Sequence, residues 1–444
     1  MSCIISLKRL RMTNSELSKL DLEHIWHPCT QMSDHKDFPI IPIKRAKGAI
    51  LTDFDGNEYI DCVSSWWVNI FGHSNEYINQ KLSEQTQNLE HVIMAGFSHD
   101  GIIKLSKRLI DLLPYPLNRC FYGDNGSSAI EIALKMSYHK NIINGKNKPL
   151  FLNLKNSYHG ETIAALSVGD VELYKKIYKN ILIKTIVTPV PLSFKGREVS
   201  DDEALSGLKD ILERYGNEIS AFVLEPLIQC AGDMNMYSAN FINKACVMAK
   251  KYDVDIIFDE IAVGFGRSGT MFALEQCDVV PDFLCLSKGI TGGYLPLSVV
   301  VTSENIYEQF YDTYESQKAF LHSHSYTGNA LACACANATL DIFETQNVIE
   351  KNIYLSKFIK SEFETLLKYD FVDNFRQTGM VLAFDLIGFE GKRMGYEIYK
   401  KALQKGLLLR PLANTIYFMP PYVITHDQIS YTLSVIDNLL SELR

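Results

Sequence analysis

Two short, wholly apolar runs, Ile256–Phe258 and Phe283–Leu286, each end on charged chemistry: Asp259-Glu260 follows the first and Ser287-Lys288 the second. Such runs, bounded by turn signals, read as strands covered on both faces, which is how parallel sheets are built. In open sheets of that kind, ligands bind beyond the carboxyl ends of the strands. An acid and an amine placed at two such ends are therefore expected to face one cleft.

The rest of the chain supports a sheet of this sort. From about Asn69 to Leu340 strand patterns alternate with helical ones, with strands expected at Leu150–Leu154, Ala221–Leu224, Asp255–Phe258, Phe283–Leu286 and Leu297–Val301. Before this lies a short helix at Leu17–Trp26, an irregular arm broken by Pro28, and a hairpin signal over Ile40–Ile60 around Asp55-Gly56-Asn57. After the Ala-rich helix at Asn329–Phe343 the pattern turns α+β. Helices are expected at Ile349–Leu367, Tyr396–Lys405 and Asp427–Leu443, and strands at Phe371–Gln377, Val381–Asp385 and Leu407–Leu409.

With 444 residues, 47% of them hydrophobic and 22% charged, the chain has room for two or three domains or one large α/β enzyme. A net charge of -8 argues against a nucleic-acid partner, which would need a basic face. No apolar run is long enough to span a bilayer, so no membrane partner is expected. The opening MSCIISLKRLRM has its basic residues after the apolar ones, the reverse of a signal peptide, and reads as a frayed extension with the start at Met1 or Met12. A cytoplasmic protein is the expectation. The ten cysteines include no C-x-x-C pair, and His322 and His324 stand without a Cys or Asp cluster, so no metal site is expected.

Three further motifs sit where strands end or helices begin. Asp124-Asn125-Gly126-Ser127-Ser128 precedes the helical run Ala129–Tyr138, which offers an anion free N–H groups, serine hydroxyls and the positive end of the helix dipole. Ser157-Tyr158-His159-Gly160 follows Leu150–Leu154 and presents a ring that could lie against a flat ligand. Glu225-Pro226 closes another apolar strand with a third carboxylate, for which Arg267 is a candidate partner until a carboxylate substrate arrives. Singly, an ordinary N-cap, core packing and a surface ion pair account for these equally well.

The order of the central stretch changes the balance. An apolar strand, Asp259-Glu260, Gly264-Phe265-Gly266-Arg267-Ser268-Gly269, a Pro281-Asp282 turn, Ser287-Lys288-Gly289 and Gly292-Gly293 resemble the signature of the class III aminotransferases. The resemblance extends over nearly all of the chain. It implies an α/β chain of the pyridoxal-phosphate-dependent transferase fold type I, with a large, mostly parallel seven-stranded-type sheet domain at 69–343. A smaller α+β domain would come from both chain ends, 1–68 with the N-terminal arm and 344–444. The resemblance further implies pyridoxal 5'-phosphate in aldimine linkage to the catalytic Lys288, with Asp259 on the ring nitrogen, Tyr158 on the ring face, and Gly126 and Ser127 on the phosphate. The segment His322–Asn329 is similar to one that reaches the phosphate of a second subunit, which implies a homodimer with shared active sites and puts His324 and Ser325 among the cofactor-binding residues.

The substrate expectation rests on Trp26-His27-Pro28, Ser64-Ser65-Trp66-Trp67, Leu409-Arg410-Pro411 and Ile416–Tyr422, which resemble the markers of the branch of the family that aminates 8-amino-7-oxononanoate to 7,8-diaminononanoate in biotin biosynthesis. The implied amino donor is S-adenosylmethionine, in a ping-pong pair of half-reactions. Trp66 and Trp67 would wall a slot for the methylene chain and Arg410 would take its distal carboxylate. Tyr158, Lys288, Ser323, Tyr417, Arg267 and Cys29 complete the expected substrate-binding set. Two positions depart from the family pattern: Cys29 stands where a tyrosine is usual, and Ser323-His324-Ser325 where Gly-Pro-Thr is commoner. An ω-amino acid or ornithine-type aminotransferase and a non-catalytic ligand sensor of the same fold remain alternatives at this level.

Overall fold

The computed structural model describes residues 12–38, 40–194 and 197–443. The opening segment read as a frayed extension, 1–11, lies outside them. A seven-stranded sheet forms the centre, in the order Leu117–Gly123, Ser298–Ser303, Phe283–Leu286, Asp255–Asp259, Ile219–Leu224, Leu150–Leu154, Thr185–Thr188. Ser298–Ser303 runs antiparallel to both of its neighbours, while the remaining neighbour pairs are parallel.

The apolar runs form these strands because both sheet faces are covered. Phe222, Ile257 and Leu284 have no exposed surface, and burying side chains of this size contributes roughly 1.5–3 kcal/mol each. On one face lies the helix Gly126–Ile143, whose Ile130, Ala133 and Leu134 join Val223, Ile257 and Phe283 in one core. On the other face the core draws in Phe241, Ala245 and Ala249 from the helix Ala239–Lys250.

The two chain ends meet. Strands Ile43–Lys47, Ile50–Asp53 and Glu58–Asp61 form a small sheet that Leu407–Leu408 extends in parallel, with Leu407 opposite Ile60. Ala49, Ile60 and Cys62 then share a core with Phe363, Phe418 and Leu439. The helix expected at Leu17–Trp26 is found at Asn14–His24, started by a capping box between Thr13 and Glu16 and stopped short of Pro28. No helix among the described residues is long and apolar enough to cross a membrane. The nine cysteines among them are all free thiols.

Candidate functional site

Asp259 and Lys288 reach one cleft through strand register. Ile257, Phe258 and Asp259 lie opposite Phe283, Leu284 and Cys285 in a parallel pair, so both strands run out at the same edge. Beyond Leu286 the chain turns sharply, with Lys288 at φ +46, and the side chain lines a cavity of about 420 Å³ together with Asp259, Tyr158, Gly126, Ser127 and Glu225. Desolvation pulls the Lys288 amine below the ordinary lysine value, against the opposing fields of Cys230, Asp259 and Glu225.

Each carboxylate at this edge has fixed partners. Asp259 Oδ2 lies 2.7 Å from His159 Nδ1 and its Oδ1 accepts the Ile261 N–H at 3.1 Å. Glu225 accepts the N–H groups of Tyr158 and Cys230, both at 3.1 Å, and burial together with the nearby Asp259 pushes its carboxyl well above the usual range. Glu260 accepts the Ala273 and Leu274 N–H groups at 2.6 and 2.7 Å, closing the glycine-rich loop; burial pushes it up to about 8.

The expected pairing of Glu225 with Arg267 is not formed. Both oxygens of Glu225 are taken by backbone, and Arg267 is 1% exposed and lines neither cavity of the site. Its Nη2 donates to Ser64 Oγ at 2.6 Å, its Nη1 to the Pro420 carbonyl at 2.6 Å, and its guanidinium lies 4.8 Å from the Tyr422 ring. A buried guanidinium must spend its donors where it is buried. Arg267 is therefore enclosed by Ser64, Pro420 and Tyr422 and lines neither cavity, whereas the sequence expectation puts it in contact with substrate; its Nε has no partner among the described residues.

The helix Gly126–Ile143 opens on the cavity. Asn125 caps it by accepting the Ser128 N–H at 3.1 Å, which leaves the first N–H groups of the helix without intrahelical partners. The approach is close: a Cβ on Gly126 would meet Ile261 at 2.9 Å, and one on Gly160 would meet Ser127 Oγ at 2.0 Å. Tyr158 lines this cavity and the next, with Tyr174 packed edge-on against it at 5.7 Å. Ser323 and Ser325 are exposed and, with His324, lie outside both cavities of their own chain. His324 Nδ1 comes within 3.7 Å of Asp124, a cavity residue, and its Nε2 within 3.2 Å of His322 Nε2.

A second cavity of about 1360 Å³ shares Lys288, Tyr158 and Trp67 with the first and extends to Trp66, Tyr417, Arg410 and Cys29. Trp67 is buried, lies 4.7 Å from the Lys288 amine, and donates its indole N–H to the Tyr417 hydroxyl at 3.1 Å. Trp66 is 41% exposed and lies under the Arg410 guanidinium, 4.8 Å from its centre. Arg410 also donates to the Cys29 carbonyl at 3.1 Å, and the Cys29 thiol is raised by desolvation first and by Glu161 second.

The structure thus brings Gly126, Ser127, Tyr158, Asp259, Lys288, Trp66, Trp67, Tyr417, Arg410 and Cys29 to two joined cavities. Sequence reasoning passed over His159, although it stood inside a motif already singled out, and Tyr174, which carries no motif at all. The left-handed backbone of Ser64–Trp67 had no signal either, since four consecutive non-glycine residues at positive φ contradict every local preference.

Comparison with known proteins agrees with this geometry. The family model described as aminotransferase class-III matches residues 31–440. The chain is 55% identical over 434 residues to the adenosylmethionine-8-amino-7-oxononanoate aminotransferase of Helicobacter pylori, covering 96% of this chain and 98% of that one. It is 37% identical to the protein of the same name from Aquifex aeolicus, with 96% and 97% covered. Among solved structures, the adenosylmethionine-8-amino-7-oxononanoate aminotransferase of Methanocaldococcus jannaschii superposes with a TM-score of 0.92 at 35% identity, covering 96% and 99%.

Proposed function

The chain belongs to the class-III aminotransferases, and from that premise we propose that it aminates 8-amino-7-oxononanoate to 7,8-diaminononanoate in biotin biosynthesis, with S-adenosylmethionine as amino donor. It is an enzyme that depends on pyridoxal 5'-phosphate. The residues present fit that cofactor: one cavity holds a helix N-terminus where a Cβ would intrude, a flat aromatic wall, a carboxylate and a desolvated amine. Gly126 and Ser127 would take the phosphate, Asp259 the ring nitrogen, Tyr158 the ring face and Lys288 the aldehyde carbon. When bound, the cofactor withdraws electrons from the carbon bearing the amino group and stores that group between the two half-reactions.

The chain's own residues do the rest. Lys288, desolvated and so more readily neutral than a surface lysine, moves a proton to and from the amine-bearing carbon of the donor and then of the acceptor. Asp259 is held by His159, so its charge stays aimed at one place. Trp67 covers the reacting amine and excludes water, and Trp66 and Tyr417 continue the wall outward. Arg410 ends the slot with a guanidinium able to take a carboxylate in a two-point grip.

One observation carries this reading: a single cavity runs from Lys288 to Arg410 between tryptophans, matching a methylene chain with an amino ketone at one end and a carboxylate at the other. Each methylene buried there contributes roughly 0.8 kcal/mol. We further read the protein as a cytoplasmic homodimer with shared sites. Support for sharing comes from Ser323 and Ser325, exposed and idle in their own chain, and from Leu321 beside them, an apolar side chain 92% exposed. The free thiols suit a reducing compartment.

Product analysis tests the activity. The purified enzyme, supplied with 8-amino-7-oxononanoate and a panel of donors that includes S-adenosylmethionine and lysine, is expected to yield 7,8-diaminononanoate with S-adenosylmethionine. Turnover only with ω-amino acids and oxoacids would overturn the assignment. Sedimentation at micromolar concentration should find a dimer; a monomer with full activity contradicts shared sites.

A further inference from the structure

Ser64, Ser65, Trp66 and Trp67 have φ of +50, +45, +73 and +72, a full turn of left-handed helix built without glycine. The turn closes through Trp67 N–H to the Val63 carbonyl at 2.9 Å and Val68 N–H to the Ser64 carbonyl at 3.1 Å. Left-handed helix costs roughly 1–2 kcal/mol per residue for L-amino acids with a Cβ. Strain of that size persists only where the surroundings over-determine it.

Two buried charged side chains do so here. From below, Asp61, with no exposed surface, accepts the N–H groups of Val63 and Ser65 at 3.2 and 2.9 Å, the Ser65 hydroxyl at 2.8 Å and His73 Nε2 at 2.9 Å. His73 is fixed in turn by the Asn69 amide, 3.0 Å from its Nδ1. From behind, Arg267 donates to the Ser64 hydroxyl, which donates onward to the Met419 carbonyl at 2.8 Å. What the turn presents is one tryptophan to each end of the slot: Trp67 against the Lys288 amine and Trp66 against the Arg410 guanidinium. A right-handed turn between the same ends would point both side chains elsewhere, because inverting φ swings each Cα–Cβ bond away.

We propose that Asp61, His73 and Arg267 are positioning residues that hold the left-handed Ser64–Trp67 turn, and that this turn sets acceptor chain-length selectivity by seating the two tryptophans at the Lys288 and Arg410 ends of the slot. The selectivity half of this rests on the activity proposed above. The turn acts as a fixed spacer: with both indoles locked, a chain shorter by one methylene loses either its place at Lys288 or its carboxylate contact at Arg410.

The test uses the holoenzyme and the variants Asp61→Asn, His73→Gln and Asp61→Asn/Ser65→Gly. Glycine at position 65 removes the Cβ penalty at φ +45, so it favours the turn that the lost carboxylate no longer holds. Asp61→Asn is expected to raise KM for 8-amino-7-oxononanoate about tenfold more than it lowers kcat, and to erase most of the discrimination against the acceptor one methylene shorter. The double variant should regain at least half of that discrimination. His73→Gln, at a half-buried site, should show the same split in smaller measure should Asp61→Asn fail to fold. With Trp26→Phe in the background only the turn's two tryptophans remain, and circular dichroism at the long-wavelength edge of the indole band, beyond the absorption of the 23 tyrosines, reads their seating. Unchanged dichroism and selectivity in both single variants overturns the proposal, as does a double variant no better than Asp61→Asn. If the wild type does not aminate the acceptor, the activity assignment fails alone, and the dichroism still decides whether Asp61 holds the turn.

Discussion

His159 Nδ1 stands 2.7 Å from Asp259 Oδ2, both side chains buried, and His159 Nε2 has no partner among the described residues. A carboxylate only accepts, so the proton in this bond belongs to Nδ1. The imidazole thereby fixes the Asp259 carboxylate in orientation at a buried position.

Removing that donor should weaken the hold of Asp259 on the cofactor ring. His159→Ala is expected to cut kcat/KM about 10- to 150-fold, the equivalent of roughly 1.5–3 kcal/mol for a hydrogen bond to a charged group. His159→Gln, which keeps a donor, should recover part of it. Steady-state kinetics with the two variants provides the check, and equal losses in both would show that the bond is not the cause.

Arg410 offers a separable prediction. Its guanidinium is stacked on Trp66 and tied to the Cys29 carbonyl, so it is pre-placed before substrate arrives. Arg410→Ala should raise KM for 8-amino-7-oxononanoate by about 10- to 150-fold, again roughly 1.5–3 kcal/mol, through loss of a charge-assisted bond. An acceptor amide lacking the carboxylate should be indifferent to the change. Equal sensitivity of acid and amide would remove Arg410 from carboxylate recognition.

Cys29 leaves space where an aromatic ring would fit, in a wall it shares with Tyr158 and Tyr174. Cys29→Tyr should lower KM for S-adenosylmethionine about three- to tenfold, in line with the roughly 0.5–1.5 kcal/mol that an added aromatic contact supplies. The measurement is donor KM at saturating acceptor. A rise in donor KM would mean that the cavity already fits its donor without that ring.

The lowered Lys288 value has a consequence for pH. Between its folded value and the ordinary 10.5, the unfolded chain binds more protons at Lys288 than the folded one, so this side chain contributes a stability that rises with pH across that window, against the buried tyrosines and thiols whose raised values act the other way. Lys288→Met should remove that contribution, so the stability difference between wild type and variant should shift in favour of the wild type as pH rises. Urea unfolding of the two apoproteins at several alkaline pH values tests this; a difference that shifts the other way would place the folded value above 10.5.

Much of the architecture was legible because burial on both faces leaves a strong mark. Leu150–Leu154 and Phe283–Leu286 were expected at their observed bounds, and the helix and strand succession after Ala330 was read nearly element by element. Leu117–Gly123 and Thr185–Thr188 were not singled out, since polar residues interrupt the first and the second is short and at the sheet edge. The enclosure of Arg267 was illegible for a different reason. An arginine beside a glycine loop looks like a surface hook for anions, and nothing local announces that Ser64 and Pro420, distant in sequence, wait to enclose it.

Periodicity and the residues at strand ends were enough, from the chain alone, to assign an acid and an amine to one edge of a parallel sheet, because parallel register puts every strand's exit on the same side. Which residue holds which lay beyond such reading. Arg267 grips Ser64, Ser64 the Met419 carbonyl and Trp67 the Tyr417 hydroxyl across 203, 355 and 350 positions, and these contacts, with the four donors that Asp61 gathers from its own neighbourhood, decide that Trp66 and Trp67 ride a left-handed turn. Local preference, left to itself, would have wound that turn the other way; only burial and hydrogen bonding in the folded chain exceed the strain.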